Sequence, residues 1–587
     1  MPADLETLPA AAGARPRLDA LVARLARLVV RVFFRELEVV GAARLPRAGP
    51  LVVVANHQNG MIDPLLIVAA LGREVPGGGR MPRFLGTHLL WRNPALRPWL
   101  ELGGVIPIYR PKDLGAAVDP ARNAAAFARC HEQLAAGGAV ALFPEGTSHS
   151  EPGLVPLKTG AARIVLEAAR RFPGLAPQIV PIGLTFEAKG TFRSRALVEV
   201  GEPIDPAAEI ALDRREAAAA GETTGGAAGA DAGKAPGAGA GEAPGAGAGE
   251  APGAGAGEAP GAGAGEAPGA GAGEAKGAGA GEAKGAGAGS AGQGQAGVAP
   301  GAAGSAASAA AVRALTARID AGLKAVTLNY GSWEEARRIG RAAEIFSADP
   351  APAGAAAGLP RETALAARFA LRRAFIEGYA ELCRRHPERT AAAAAAVDRY
   401  DRMLGALGLR DDQVAATYPA APAARWLGRT VVRLLIYLPL AVVGIVLNWL
   451  PYRLVGEIAA RATREADMPA SFKVFGGIVL FPLTWLLEAA LAAWLAGPQP
   501  AARAGAALLT LAVAPASGWV ALRFDDRRGQ LWREARAYLL LRSRRAIAAE
   551  IRNRRAAAAR EVAALAELYQ AAAATGAAEA AAPDQTA

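Results

Sequence analysis

"LVVVANHQNGMIDPLLI" covers residues 51 to 67. A β-branched run ends at Ala55, His57 follows, and Asp63 comes after five intervening residues. A short, continuously apolar run bounded by turn residues reads as a strand buried on both faces. Asn59-Gly60 permits a sharp bend after it. "DPLLIVAALG" then has the spacing of a helix. An imidazole titrates at about 6.5 when unperturbed, so at neutral pH it accepts a proton from a hydroxyl. It does so better when a carboxylate fixes its tautomer and stabilises the imidazolium. His57 and Asp63 are therefore a candidate acid–base couple. Taken alone, such a pair is more often part of a structural loop after a strand than a working couple.

The same strand-then-helix alternation extends from about residue 36 to residue 216, the pattern of an α/β domain with a central sheet flanked by helices. Strand candidates are "ELEVVG", "LVVVAN", "GGVIPIYR", "AVALFP", "QIVPIGLTF" and "ALVEVG". Helices are expected at "DPLLIVAALG", "PARNAAAFARCHEQLAAG" and "TGAARIVLEAARRF". Polar residues gather just past the strands, where reactive groups concentrate in such folds. Glu145 and Gly146 follow "AVALFP", and Arg110 ends "GGVIPIYR". The backbone N–H groups of Gly146 and Thr147 would suit an anion. Arg110 offers a bidentate fork for phosphate oxygens. Gly-x-Ser-x-Gly, His-Glu-x-x-His and P-loop patterns are missing, so neither a serine hydrolase nor a zinc peptidase nor a P-loop NTPase is indicated.

Composition limits the partners. Lys+Arg 65 against Asp+Glu 54 gives a formal net charge of +11. That charge suits nucleic acid or an anionic membrane surface. No recognition helix, zinc motif or aromatic-basic pattern accompanies it, so nucleic acid is not expected. Cys130 and Cys383 stand far apart, which indicates neither a disulfide framework nor a thiolate metal site. His88, His131, His149 and His386 read as ordinary histidines.

Six regions follow. Residues 1–35 read as a disordered tail and a basic amphipathic helix, with Leu18, Leu21, Leu25, Leu28, Val29 and Val32 on one face; such a helix suits a bilayer surface or a soluble domain. Residues 36–216 are the α/β domain. Residues 217–309 repeat "GEAPGAGA" and "GEAKGAGA", with too little apolar side chain to offset the entropy of folding, and read as a disordered insert. Residues 310–425 regain helical periodicity. Residues 426–530 hold three apolar stretches (434–452, 474–496, 504–522), each long enough for a hydrocarbon core of about 30 Å. Residues 531–587 read as a helix and a disordered tail. The arginine distribution makes the last two stretches a hairpin with both ends cytoplasmic, and the first, which holds Pro439 and Gly444, re-entrant or interfacial.

"NHQNGMIDP", "GVIPIYR", "LFPEGTSHS" and "IVPIGLTF", in that order, resemble the four sequence blocks of the glycerophospholipid acyltransferase superfamily. The resemblance covers roughly residues 30 to 206. The five-residue spacing between His57 and Asp63, one more than the common pattern, is similar to the subgroup of fungal and bacterial glycerol-3-phosphate (dihydroxyacetone-phosphate) acyltransferases. "FRSRALVEVGEPI" and the downstream apolar stretches point the same way. The resemblance implies an α/β acyltransferase domain, which the arginine distribution would put on the cytoplasmic face of a membrane. His57 would be the general base and Asp63 its orienting carboxylate. Arg110, Glu145 and Gly146 would hold glycerol phosphate, with Glu145 contacting either an acceptor hydroxyl or Arg110. Pro181 would line the acyl or acceptor pocket. Lys158 is added as a phosphate contact on charge alone; a solvated surface lysine is the other reading. Acyl-CoA or acyl carrier protein would be the donor substrate, with no cofactor. Glycerol 3-phosphate is the expected acceptor and lysophosphatidic acid the alternative. An inactive membrane scaffold is the competing class; the intact His57, Asp63, Arg110 and Glu145 speak against it.

Overall fold

The computed structural model describes residues 16–74, 81–94, 96–110, 120–219, 307–348, 365–415, 420–462 and 469–581. The expected N-terminal tail and nearly all of the Gly/Ala-rich insert lie outside the described residues. The domain runs α1 (Pro16–Phe33), β1 (Glu36–Val40), β2 (Leu51–Ala55), α2 (Ile62–Glu74), β3 (Arg83–Thr87), α3 (Arg97–Gly103) and β4 (Ile106–Ile108). It continues through α4 (Pro120–Ala135), β5 (Ala139–Leu142), α5 (Gly160–Arg171), β6 (Gln178–Phe186), β7 (Arg195–Val200) and α6 (Ala207–Ala219).

Among the described residues these strands form one sheet in the order β1-β7-β6-β2-β5-β3-β4. Only β6 and β7 pair antiparallel; the other neighbours are parallel. β3 went unread in the sequence because "RFLGT" has neither a β-branched run nor clean alternation. β2 is central and covered on both faces, which is why it reads as an unbroken apolar run. Val53 and Ala55 face α1 and α2, whereas Val52 and Val54 face α4 and α5. Because β2, β5 and β6 run parallel, their C-terminal ends and the loops that leave them share one edge of the sheet. That edge carries the candidate site.

The second layer is completed from far along the chain. Leu315, Ile319 and Leu323 of α7 (Ala309–Val326) are fully buried against the α4/α5 face. Gly183 of β6 lets α7 approach: a Cβ there would stand 1.9 Å from the carbonyl oxygen of Val326. The start of the helical region is thus part of the α/β packing, although the sequence patterns separate the two. Next come α8 (Trp333–Ala348), α9 (Leu365–Arg385), α10 (Pro387–Leu407) and α11 (Asp411–Ala415). α9 returns to the sheet edge, where Leu365 and Phe369 pack on Leu197 and Arg373 pairs with Glu199 at 2.6 Å.

The remaining helices are α12 (Ala420–Ala462), α13 (Pro469–Leu495), α14 (Pro500–Ser543) and α15 (Arg545–Ala581). α12, α13 and α14 contain the described segments long and apolar enough to cross a membrane. Ile436, Val446, Trp494 and Leu508 are each at least 68% exposed. A surface of that kind needs an apolar surround. Asn448 ties the three together: its amide donates to Gly444 O and Ala514 O, and its oxygen accepts from Trp485 Nε1 at 2.9 Å. Gly444 allows the close crossing, since a Cβ there would meet Ser517 O at 2.1 Å. The re-entrant reading of the first apolar stretch is corrected: α12 is one helix of 43 residues that passes through Pro439, Gly444 and Pro451 without a turn.

α1 also differs from the expected face. Ala26, Val30 and Phe33 are the buried positions, and Val22 and Val29 pack beside them. Leu21, Leu28 and Val32 stay exposed. One side of α1 therefore packs on the domain while part of its apolar stripe remains uncovered.

Candidate active site

Asn56 leaves β2 and is buried, with its side chain spliced into β6. Its amide nitrogen donates to Leu184 O at 2.9 Å, and its oxygen accepts from Leu184 N at 2.7 Å. This pairing carries the sheet one residue past its last strand partner and aims His57 out of its edge. His57 Nδ1 lies 2.9 Å from Asp63 Oδ2. The spacing of five is absorbed in the turn. Gly60 takes a left-handed φ of 52°, and Ile62 N and Asp63 N donate back to Asn59 O and Gly60 O. A left-handed residue at that point is far easier for glycine than for any side chain with a Cβ. Asn59 N also donates to Asp63 Oδ2 at 2.8 Å.

The Asp63 side chain is fully buried and that of His57 is 18% exposed. A carboxylate beside Nδ1 keeps the proton there and leaves Nε2 as the basic nitrogen. The ring is held from one face by Phe143, stacked at 4.0 Å and 11°. Among the described residues Asp63 Oδ1 has no hydrogen-bond partner. The couple is preorganised: strand splice, left-handed turn and stacking ring each fix one degree of freedom.

Glu145 differs from its expected role. It is buried and turned inward, accepting from His57 N at 2.6 Å and Val155 N at 3.2 Å, and pairing with His149 Nε2. His149 N in turn donates to His57 O at 3.1 Å. Glu145 thus holds the backbone that carries His57; it faces neither Arg110 nor solvent. His149, read from sequence as an ordinary histidine, joins this clamp. The available signal was its position four residues after Glu145.

Gly146 is also reassigned. Its N–H donates to Phe143 O at 3.0 Å, so that donor closes a turn and does not point at a ligand. The turn needs φ of 73°, and Gly146 O accepts from Arg110 Nη1 at 2.9 Å. The structure therefore brings Arg110 from β4 to the loop that follows β5. Thr147 is in the same loop, and its hydroxyl donates to Ser148 O at 3.2 Å. The stem of Lys158 crosses Gly146, with Cγ 3.3 Å from where a Cβ would stand. Its ammonium has no partner among the described residues, and the residue is exposed. Pro181 lies elsewhere: it is buried in β6 against Gly201 and beneath Gly322 of α7. The alternation of the strand turns it to the α7 face, so it packs the core and is not brought beside His57.

Lys189, missed in the sequence, joins the two site loops. Its ammonium donates to Gln58 O, His149 O and Ser150 Oγ, and its carbonyl accepts from Asn59 Nδ2. α13 touches the same turn, because Ser471 Oγ accepts from Met61 N at 3.0 Å. Nothing in the one-dimensional pattern foretells a contact across 410 residues. Cys130 is buried, and desolvation pushes its thiol up to about 12, so it is no nucleophile. Burial, and then Arg171, lower His131 to about 4, which leaves it neutral at pH 7.

Residues 36–185 match the family described as Acyltransferase, and residues 360–571 match the Glycerol-3-phosphate acyltransferase 2 C-terminal domain. The resemblance carried by the four sequence blocks is shown by these matches. An uncharacterized acyltransferase of Schizosaccharomyces pombe is 26% identical over 32% of this chain and 40% of its own length. Glycerol-3-phosphate O-acyltransferase 2 of Saccharomyces cerevisiae is 42% identical over 14% of this chain and 11% of its own. The chain thus spans less than half the length of these two relatives. Among solved structures, the 1-acyl-sn-glycerophosphate (LPA) acyltransferase of Thermotoga maritima matches at 19% identity and a TM-score of 0.23, over 32% of this chain and 69% of that one.

Proposed function

We propose that this chain, which joins an acyltransferase domain to a region like the C-terminal domain of glycerol-3-phosphate acyltransferase 2, moves a fatty acyl group onto the hydroxyl of glycerol 3-phosphate. The observation that carries the reading is the 2.9 Å contact between His57 Nδ1 and buried Asp63, at the shared edge of β2, β5 and β6. Nε2 takes the hydroxyl proton as the oxygen attacks the thioester carbonyl of acyl-CoA or acyl carrier protein. The C–S bond breaks, and the thiolate leaves with the proton that Nε2 returns. General-base assistance of this kind supplies on the order of 10²–10⁴-fold. Holding acceptor and acyl chain together supplies more. No covalent acyl-enzyme is needed.

Arg110 and Lys158 converge on the Gly146 turn and would meet the acceptor phosphate. α12, α13 and α14 would place the domain at the cytoplasmic face of a membrane, where acyl chains partition. The contact of Ser471 with the His57 turn supports that arrangement, since it joins a membrane helix directly to the site.

The test supplies radiolabelled glycerol 3-phosphate or labelled lysophosphatidic acid, with long-chain acyl-CoA, to membranes containing the full chain. Label from glycerol 3-phosphate is expected in lysophosphatidic acid, at a rate at least about tenfold that with the second acceptor. Faster turnover of lysophosphatidic acid would move the enzyme one reaction later. Turnover of neither, with an acyl-carrier-protein donor also silent, would contradict the reading.

A further inference from the structure

A cavity lies away from His57, on the side of the domain covered by α1. It has a volume of ≈ 400 Å³ and is lined by Arg27 and Arg31 of α1, Arg35, Arg193 of the β6–β7 loop, and Trp519 and Arg523 of α14. Phe34 and Leu37 supply apolar lining. None of these residues belongs to the loops that hold His57, Asp63 or Glu145. The volume falls within the range of about 300–1,000 Å³ usual for small-molecule sites.

The charge is unbalanced. Arg193 pairs with Asp526 at 3.1 Å, and Glu36 on the rim pairs with Arg195 at 2.8 Å. Among the described residues Arg31, Arg35 and Arg523 have no acidic partner, and all three are exposed. Guanidinium groups from separate elements that converge on one concavity suit phosphate oxygens.

Arg193 is built into place. It is the one non-glycine residue with positive φ among the described residues, at 64°. Such a conformation is unfavourable for a residue with a side chain and persists only where surroundings over-determine it. Here the surroundings do: Arg193 N donates to Phe33 O at 2.7 Å, and its guanidinium donates to Arg31 O and Phe34 O at the end of α1. The same guanidinium lies 5.6 Å from the Trp519 ring, which Arg523 approaches at 5.4 Å.

Position decides what would fill the cavity. Trp519 and Arg523 stand where the apolar stretch of α14 gives way to "RFDDRR". An aromatic ring followed by arginines marks the level of lipid headgroups. Leu28 and Val32, which follow the lining residues Arg27 and Arg31 in α1, are exposed. We propose that the cavity binds the phosphate headgroup of an anionic glycerophospholipid from the bilayer, with its acyl chains along α14 and the uncovered stripe of α1. The β6–β7 loop that carries Arg193 also carries Lys189, which holds Gln58 O of the His57 loop. An occupied headgroup site would therefore bear on the same loop that supports the candidate active site.

The test titrates the purified full chain in a mild detergent with dioctanoyl phosphatidic acid, using calorimetry. Parallel titrations use dioctanoyl phosphatidylcholine and inorganic phosphate. Wild type is compared with R31Q/R523Q and with R31K/R523K, whose positions are exposed. Phosphatidic acid is expected to bind at least about tenfold more tightly than either alternative. The double glutamine variant should bind it about 30-fold more weakly, at roughly fivefold per charge, and the double lysine variant should stay within about fivefold of wild type. Equal binding by wild type and R31Q/R523Q would overturn the proposal. Inorganic phosphate binding as tightly as phosphatidic acid would overturn the lipid assignment, as would equal binding of phosphatidylcholine.

Discussion

Asp63→Asn is expected to lower kcat on the order of 10²–10³-fold while leaving KM for glycerol 3-phosphate within about threefold. Two orientations are open to the new amide, and both harm the couple. With its oxygen kept where Oδ2 now accepts from His57 Nδ1 and Asn59 N, the imidazolium loses its charged neighbour. The NH₂ group then occupies the buried Oδ1 position, which has no partner among the described residues. Turned the other way, the NH₂ group faces Asn59 N–H and drives the proton of His57 onto Nε2. A kcat measured across pH 6 to 9, with the melting temperature recorded beside it, separates this loss from a folding defect. Activity within about threefold of wild type would show that Asp63 does not govern the base.

Glu145→Ala carries the second large effect, and it distinguishes two roles. Its carboxylate serves His57 N, Val155 N and His149 Nε2 in a buried setting. Truncation leaves three groups without acceptors, each costing about 1–3 kcal/mol. The expected result is a lower melting temperature together with a fall in kcat of at least about 10²-fold, because the backbone under His57 is released. Glu145→Gln retains one acceptor oxygen and should fall between. A substrate-binding Glu145 would behave differently: KM for the acceptor would rise, with the melting temperature unchanged. Melting curves and a kcat-against-KM separation on the same preparations decide between them.

Residue type and local order carried much of this arrangement. β2, β5 and β6 were readable because strands buried on both faces must be apolar throughout, and the turn residues after them marked the reactive edge. The His57–Asp63 contact is readable only as a question, since whether five intervening residues reach hydrogen-bond distance depends on the turn between them, which here passes through a left-handed residue. Gly60 is that residue. Glu145 reads from the sequence as an available carboxylate after a strand, and no local signal reveals that three donors close over it. Pro181 was displaced from the site by strand alternation, which turns it toward α7, a helix that follows the long Gly/Ala-rich stretch. The contacts of Lys189 and Ser471 span too much sequence for periodicity to expose. Pro439 and Gly444 make the first apolar stretch read as re-entrant or interfacial, yet α12 continues through both, packed against α13 and α14.

The account rests most heavily on His57 as the base that activates the acceptor hydroxyl. The direct measurement is transfer from labelled long-chain acyl-CoA to glycerol 3-phosphate by membranes containing equal amounts of wild type or His57→Ala. Among the described residues the His57 side chain bonds Asp63 and stacks on Phe143; because its removal leaves the buried Asp63 carboxylate without that partner, the yield and melting temperature of the variant are recorded beside its turnover. The account predicts that its turnover falls on the order of 10²–10⁴-fold. Turnover of His57→Ala within about threefold of wild type would contradict the account.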